Sequence, residues 1–383
     1  MTYRDKDEVE RSLDILRNVL HETRGMDRRG FLKVLGKAAV ATPLVAGVHS
    51  MAMSTARASG PITTMGYGGS WQDAMQKAYL DPWSEKTGES YNYVTPMQFA
   101  RVIAMDQAKR QQIDVMEAGA LESMRMLKLG LNAEMDWNVI DKSALTPNQL
   151  KYPNAISSIT LSTLMVYSKA KWPGDDHPKS WADFWDVEKF PGRRAMFRRP
   201  YSTLEAALIA DGMPLDPEKM YPLDLDRAFA KLDEIKPHVN FWWNSGSETQ
   251  QLIQDNEVDL CVIWSGRAVQ SIKDNGANFG IVWNQATYNS DYELWFALRN
   301  SPNPEGAMQL LDIVGRAEPQ AVFARATYYG PTNLKAYDYL DDSIGPFLPS
   351  YPDNSKLAFP INYQWWSEHQ AEIFERFEAW LQS

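Results

Sequence analysis

A chain of 383 residues with 49 acidic against 39 basic side chains, a formal net charge of -10 and a single cysteine excludes several classes at once. No basic tract recommends nucleic acid as a partner, one cysteine permits neither an internal disulfide nor a cysteine-based metal cluster, and 44% apolar residues describe a globular protein. Residues 1–58 hold 10 of the basic and 7 of the acidic residues, so the remainder carries a net of -13 and is long enough for two cores.

Residues 1–25 read as an amphipathic helix built on Val9, Leu13, Leu16 and Leu20, with Met26 as an alternative start. The run from Val34 to Val48 is interrupted by Lys37 and Pro43 and falls short of the roughly 20 apolar residues that span a bilayer. Preceded by Arg28-Arg29-Gly30-Phe31-Leu32-Lys33 and followed by Ala56-Arg57-Ala58, it resembles a twin-arginine export signal cleaved after about Ala58. No lipobox cysteine stands near that site, which argues against a lipid anchor.

Strand and helix then alternate. "ITTMGY" (62–67) predicts a strand, Trp71 to Lys86 a helix, "SYNYVTP" a strand, "FARVIAMDQAKRQ" a helix, and "IDVMEAGA" a strand entering a helix over 121–129. An extended β-branched run at 159–168 precedes a second set. That set comprises "SWADFWD" helix, "RRAMFR" strand, "TLEAALIADG" and "DLDRAFAKLDEI" helices, "VNFWW" strand, "SETQQLIQDN" helix and "VDLCVIWS" strand. "FGIVW" and "YELWFALR" predict two further strands, and the C-terminal part is mainly helical. Such alternation implies parallel sheets in an α/β protein of two lobes joined by more than one extended crossing. Ligands in such sheets bind beyond the carboxyl ends of strands, so the joins at 67–71, 117–120 and 264–267 are where a site is expected. Cys261, inside an apolar run, reads as a packed, inert thiol.

The stretches "GYGGSWQDA", "SWADFWDVEKFPGRRA", "TLEAALIADG", "VDLCVIWSGRA", "SPNPEGAMQLL" and "YYGPTN" resemble, in order and spacing, the periplasmic solute-binding proteins of spermidine/putrescine-type ABC importers. The resemblance covers about 62–382. It implies a type II periplasmic binding fold of class α/β, with a ligand cleft between lobes that close by hinge motion. On that basis 59–165 plus about 286–335 form lobe 1, 166–285 lobe 2, and 336–383 are C-terminal helices packed on the lobes. It further implies a monomer that takes a small organic solute, no cofactor, an inner-membrane permease with its ATPase as partners, and a periplasmic location.

Carried over by motif, the family's ligand site falls on Tyr67, Trp71, Trp264, Glu293, Tyr329 and Gln364. A second group of candidates comprises Arg199 and Ser202, which stand where the family has acids, Arg267 after Trp264, Asp291, and Glu117 at a strand-to-helix join. Asp291 shares a face with Glu293 by strand alternation, and Arg199 has Glu205 as an alternative partner. Aromatic faces attract an ammonium group and bury methylenes. A carboxylate fixes the amine, and an arginine accepts an acid bidentately. A ligand bearing both groups therefore suits these residues better than a linear polyamine. Three other readings compete: a sugar stacked on the aromatics, ferric iron on Tyr328-Tyr329, and an exported enzyme. For the last, no glycine-rich phosphate loop, nucleophile elbow or histidine cluster nominates a reaction.

Overall fold

The computed structural model describes residues 60–383; the export signal, its cleavage site and the choice of start codon lie outside the described residues. Ten strands are present: β1 (Ile62–Met65), β2 (Tyr91–Val94), β3 (Val115–Gly119), β4 (Ile156–Ser168), β5 (Arg194–Phe197), β6 (Val239–Trp243), β7 (Leu260–Trp264), β8 (Phe279–Ala297), β9 (Gly330–Pro331) and β10 (Phe359–Pro360). They join in one sheet, ordered β2-β1-β3-β8-β4-β7-β5-β6, with β9 on β4 and β10 on β8. Pairing is parallel at β1–β2, β1–β3, β5–β6, β5–β7 and β8–β10. It is antiparallel at β3–β8, β4–β7, β4–β8 and β4–β9. The all-parallel expectation is thereby corrected. Alternation with helices yields the parallel flanks, whereas β4 and β8 run opposite ways because the chain passes from one lobe to the other and back.

Those two strands organise the α/β, two-lobed fold. All thirteen residues of β4 are buried, as a strand covered on both faces requires. "FGIVW" and "YELWFALR" are the ends of a single nineteen-residue strand, β8, and not two strands. The polar link that hides this continuity, "NQATYNS", stays extended because its groups are paired. Asn289 donates to the Leu161 carbonyl (3.2 Å) and accepts from the Tyr363 hydroxyl (2.6 Å).

β4 and β8 also lose register along their length. Ile159 faces Glu293 but Leu161 faces Asn289, and Thr163 faces Thr287 but Met165 faces Val282. Extra β8 residues are therefore extruded at two bulges, which bend the strand and re-aim its side chains. Gln285 occupies the second bulge with φ 63° and holds Trp181 through its side chain (2.9 Å) and carbonyl (2.7 Å). Asp291 occupies the first. Alternation placed it beside Glu293, but the bulge turns it into the protein, where it is fully buried and meets the ammonium of Lys151 (2.9 Å), the Tyr152 hydroxyl and the Ser290 hydroxyl (3.0 Å).

Apolar clusters pack both flanks. One gathers Ile62, Tyr79, Trp83, Trp295 and Leu310, and another Leu164, Phe197, Trp243 and Ile263. A third runs from Met116 and Leu121 to Phe229 and Phe377, so the C-terminal helix Tyr363–Gln382 rests on both the β3 side and the helix Leu225–Ile235. The Cys261 thiol is buried among the second cluster and burial raises its pKa, which leaves it an apolar filler. No helix among the described residues is long and apolar enough to cross a membrane.

Asp291 carries the first bulge, so Asp291→Asn should lower the unfolding free energy by about 1–3 kcal/mol, the range for losing charged hydrogen bonds in a buried place. Urea denaturation checks this, and an unchanged midpoint contradicts it.

Candidate functional site

β1, β3, β5, β6 and β7 end toward one cleft, and the chain turns there into a helix or loop. β1 leads through Gly66 to Tyr67 and the helix Ser70–Met75, and β3 ends in Glu117 and Gly119 before the helix Ala120–Lys128. β5 leads to Arg199 and Tyr201, β6 to Asn244, and β7 to Trp264 and the helix Ser265–Lys273. The cleft holds a cavity of about 250 Å³ lined by Tyr67, Glu122, Phe197, Arg199, Tyr201, Asn244, Trp264, Tyr292, Tyr363 and Gln370. A narrow annex bounded by Trp71, Arg267, Gln270 and Tyr329 lies beside it.

The aromatics form a connected wall. Trp71 makes edge-to-face contacts with Tyr67 (6.0 Å between ring centres), Phe323 (5.2 Å) and Tyr329 (5.6 Å). Across the cleft, Trp264 packs edge-on to Phe197 (5.6 Å) and Trp243 (5.2 Å). Both tryptophans remain half-buried, because neighbouring rings hold one side and the cleft exposes the other.

Glu117 anchors the wall. Its Oε1 accepts from the Tyr67 backbone N–H (3.1 Å), the Trp71 indole N–H (2.7 Å) and the Tyr93 hydroxyl (2.8 Å). Glu293 is equally buried, and neither of its oxygens has a partner among the described residues. Burial raises the pKa of both carboxyls above the ordinary range; for Glu293 the Glu117 and Glu122 charges raise it further. Desolvation, followed by the Glu293, Glu122 and Glu117 charges, also keeps the Tyr67 phenol neutral.

Two guanidinium groups border the cleft, Arg199 at the cavity and Arg267 at the annex. Arg199 donates to the Arg198 carbonyl (3.0 Å) and to Asn244 (3.2 Å), and Arg267 to Gln250 (3.2 Å). Neither forms a salt bridge among the described residues, although the Arg199 charge acts on Glu122, and Nε of Arg267 is buried without a partner. Glu205 does not serve Arg199. It is buried and accepts from the Tyr221 hydroxyl (2.7 Å) and the Trp366 indole (2.6 Å).

Of the residues expected from sequence, Tyr67, Trp264 and Arg199 line the cavity and Trp71, Tyr329 and Arg267 its annex, while Glu117 and Glu293 lie buried behind Tyr67. Gln364 does not join them. It is exposed and donates to Glu368 (2.6 Å), because the face of its helix that meets the cavity is that of Tyr363 and Gln370, seven residues apart. Ser202 is buried at φ 66° beneath the cavity floor, its hydroxyl unpartnered. Tyr328 and Tyr329 diverge at the left-handed turn of Tyr328 (φ 56°), whose hydroxyl donates to Asp274 (2.8 Å) while Tyr329 is buried against Trp71, so the pair does not converge as iron ligands would. Sequence reasoning missed Glu122, Tyr201, Asn244, Tyr292 and Tyr363. The strand-end rule that found Tyr67 and Trp264 would also have found Asn244, which follows β6.

The chain matches the bacterial extracellular solute-binding proteins over residues 115–354. It is 29% identical over 330 residues to the gamma-aminobutyric acid-binding protein of Pseudomonas aeruginosa, covering 83% of this chain and 90% of that protein. Identity to the spermidine/putrescine-binding periplasmic protein of Escherichia coli is 23% over 346 residues, covering 87% and 95%. The crystal structure of an ABC transporter substrate-binding protein from Bradyrhizobium japonicum superposes with a TM-score of 0.77 at 35% identity, covering 84% of this chain and 99% of that one.

Gly66 is required for the Glu117 network: a Cβ there would fall inside the Tyr93 hydroxyl and the Glu117 carboxylate. Gly66→Ala should therefore destabilise the fold by about 1–3 kcal/mol, as overpacking does. It should also change the fluorescence of Trp71 by displacing its partner. An unperturbed melting temperature and spectrum contradict this geometry.

Proposed function

The chain belongs to the bacterial extracellular solute-binding proteins, which bind solutes without transforming them, and from that membership we propose that it serves an ABC importer by taking a small solute that carries both an amine and a carboxylate. Two arginines bordering an aromatic cleft with no salt bridge of their own among the described residues, and two acids buried behind Tyr67, carry this reading. Both arginines are half-buried, and a ligand carboxylate supplies a pair with planar, bidentate geometry. At the other end the ammonium donates to Glu293 and to the free Oε2 of Glu117, and Trp264, Trp71 and Tyr67 cover the methylenes between.

Closure follows the crossing strands. With the acids on β3 and β8 and the arginines after β5 and β7, a ligand bound at both ends holds the lobes together, and the permease with its ATPase receives the closed form. The gamma-aminobutyric acid-binding relative supports an amine–acid ligand more than a diamine. The Arg28-Arg29 segment supports export to the periplasm in folded form, with cleavage after about Ala58.

4-Aminobutanoate and putrescine differ in one terminal group on a similar carbon chain and separate the alternatives. By calorimetry 4-aminobutanoate should bind at least about tenfold tighter than putrescine, and Arg199→Gln or Arg267→Gln should weaken it by about tenfold or more while narrowing that preference. Tighter binding of putrescine, or affinity unchanged in both arginine variants, would overturn the reading. Trp264→Ala should weaken both compounds.

A further inference from the structure

Glu117 and Glu293 are diagonal neighbours on one face of two antiparallel strands, since Glu117 pairs with Trp295 and Glu293 with Gly119. Both are buried. Three donors already occupy Oε1 of Glu117, whereas its Oε2 and both oxygens of Glu293 have no partner among the described residues. The groups around the pair do not supply a positive charge. Tyr67, Tyr79, Tyr93, Tyr292 and Tyr329 present phenols from five segments, all with raised pKa and so neutral. Glu122, from the following helix, adds a third acid. The guanidinium charges in the neighbourhood act elsewhere, Arg199 and Arg125 on Glu122 and Arg267 on Tyr329.

Two carboxylates so close, dry and without a counter-charge cannot both ionise. We propose that Glu117 and Glu293 share one proton in the ligand-free protein, and that a bound ammonium group takes the place of that proton and expels it to solvent. This rests on the amine-bearing ligand inferred above. The exchange balances: the singly charged, protonated pair becomes a doubly charged pair beside a singly charged cation, and the released proton goes to buffer. Binding thereby brings in an amine without changing the charge buried at the strand ends. Affinity rises with pH by up to about tenfold per unit while the pair still holds its proton, then levels, because an alkylammonium ligand stays charged until about pH 9.

The direct test is titration calorimetry of the purified protein with 4-aminobutanoate at about pH 6.5 in two buffers of different ionisation enthalpy, with putrescine as the second probe. The expected result is release of about half to one proton per ligand bound. Measurable binding with no buffer dependence would overturn the proposal and leave the amine reading standing. If neither probe binds, the amine reading fails and a ligand-free arm judges the shared proton. A carboxyl whose folded-state pKa is raised holds its proton when folded and loses it when unfolded, so its contribution to stability falls as pH rises. From about pH 5 to pH 8 the melting temperature of the wild type should therefore fall by several degrees relative to Glu293→Gln, or to Glu117→Gln should the first variant not fold. Parallel curves would overturn the proposal.

Discussion

A pair of acids kept inside the protein without a counter-charge is the constraint around which the cleft is arranged. Glu117 and Glu293 lie on two adjacent strands at the depth of the core, where a lone carboxylate is destabilising. The fold tolerates them by spending the Tyr67 amide, the Trp71 indole and the Tyr93 hydroxyl on one oxygen of Glu117. That hydrogen bonding also orients the rings: Trp71 can face Tyr67 and Tyr329 because its indole N–H is fixed from behind. Aromatic wall and acidic anchor are thus one structure, and Gly66 must remain small for it to form.

Opposing charges on the far side of the cleft complete the arrangement. Arg199 and Arg267 are held by carbonyl and amide oxygens, which position a guanidinium without neutralising it. Glu117 lies on β3 and Glu293 on β8 itself, whereas the arginines follow β5 and β7 on the other side of β4. The bulges along β4 and β8 bend the two central strands. Asp291, close to Glu293 in sequence, is committed to Lys151 and Tyr152, which keeps it out of the ligand's reach.

How far the sequence foretold this depended on whether a local rule survived in three dimensions. The rule that ligand sites lie beyond strand carboxyl ends nominated Tyr67, Glu117 and Trp264, and the structure sets Tyr67 and Trp264 at one cavity with Glu117 buried behind Tyr67. Alternation failed at Asp291 because a bulge is invisible in a periodic pattern. The polar "NQATYNS" hid the continuity of the two predicted strands because its groups find their partners in β4 and in the C-terminal helix, far along the chain. Gln364 failed by a single helical step: a motif counts residues, whereas a cavity selects a face, here that of Tyr363 and Gln370. Glu205 looked like a surface partner for Arg199, yet its partners, Tyr221 and Trp366, come from segments no local pattern connects to it.

The proposed ligand polarity sets the amine end on the acids of β3 and β8 and the acid end on the arginines beyond β5 and β7. A crystal structure of the complex with 4-aminobutanoate tests that polarity most directly. The ligand nitrogen is expected within hydrogen-bond distance of Glu117 or Glu293 and its carboxylate on Arg199 or Arg267, under the Trp264 ring. A ligand bound in the reverse sense, or held away from both acids, would contradict it.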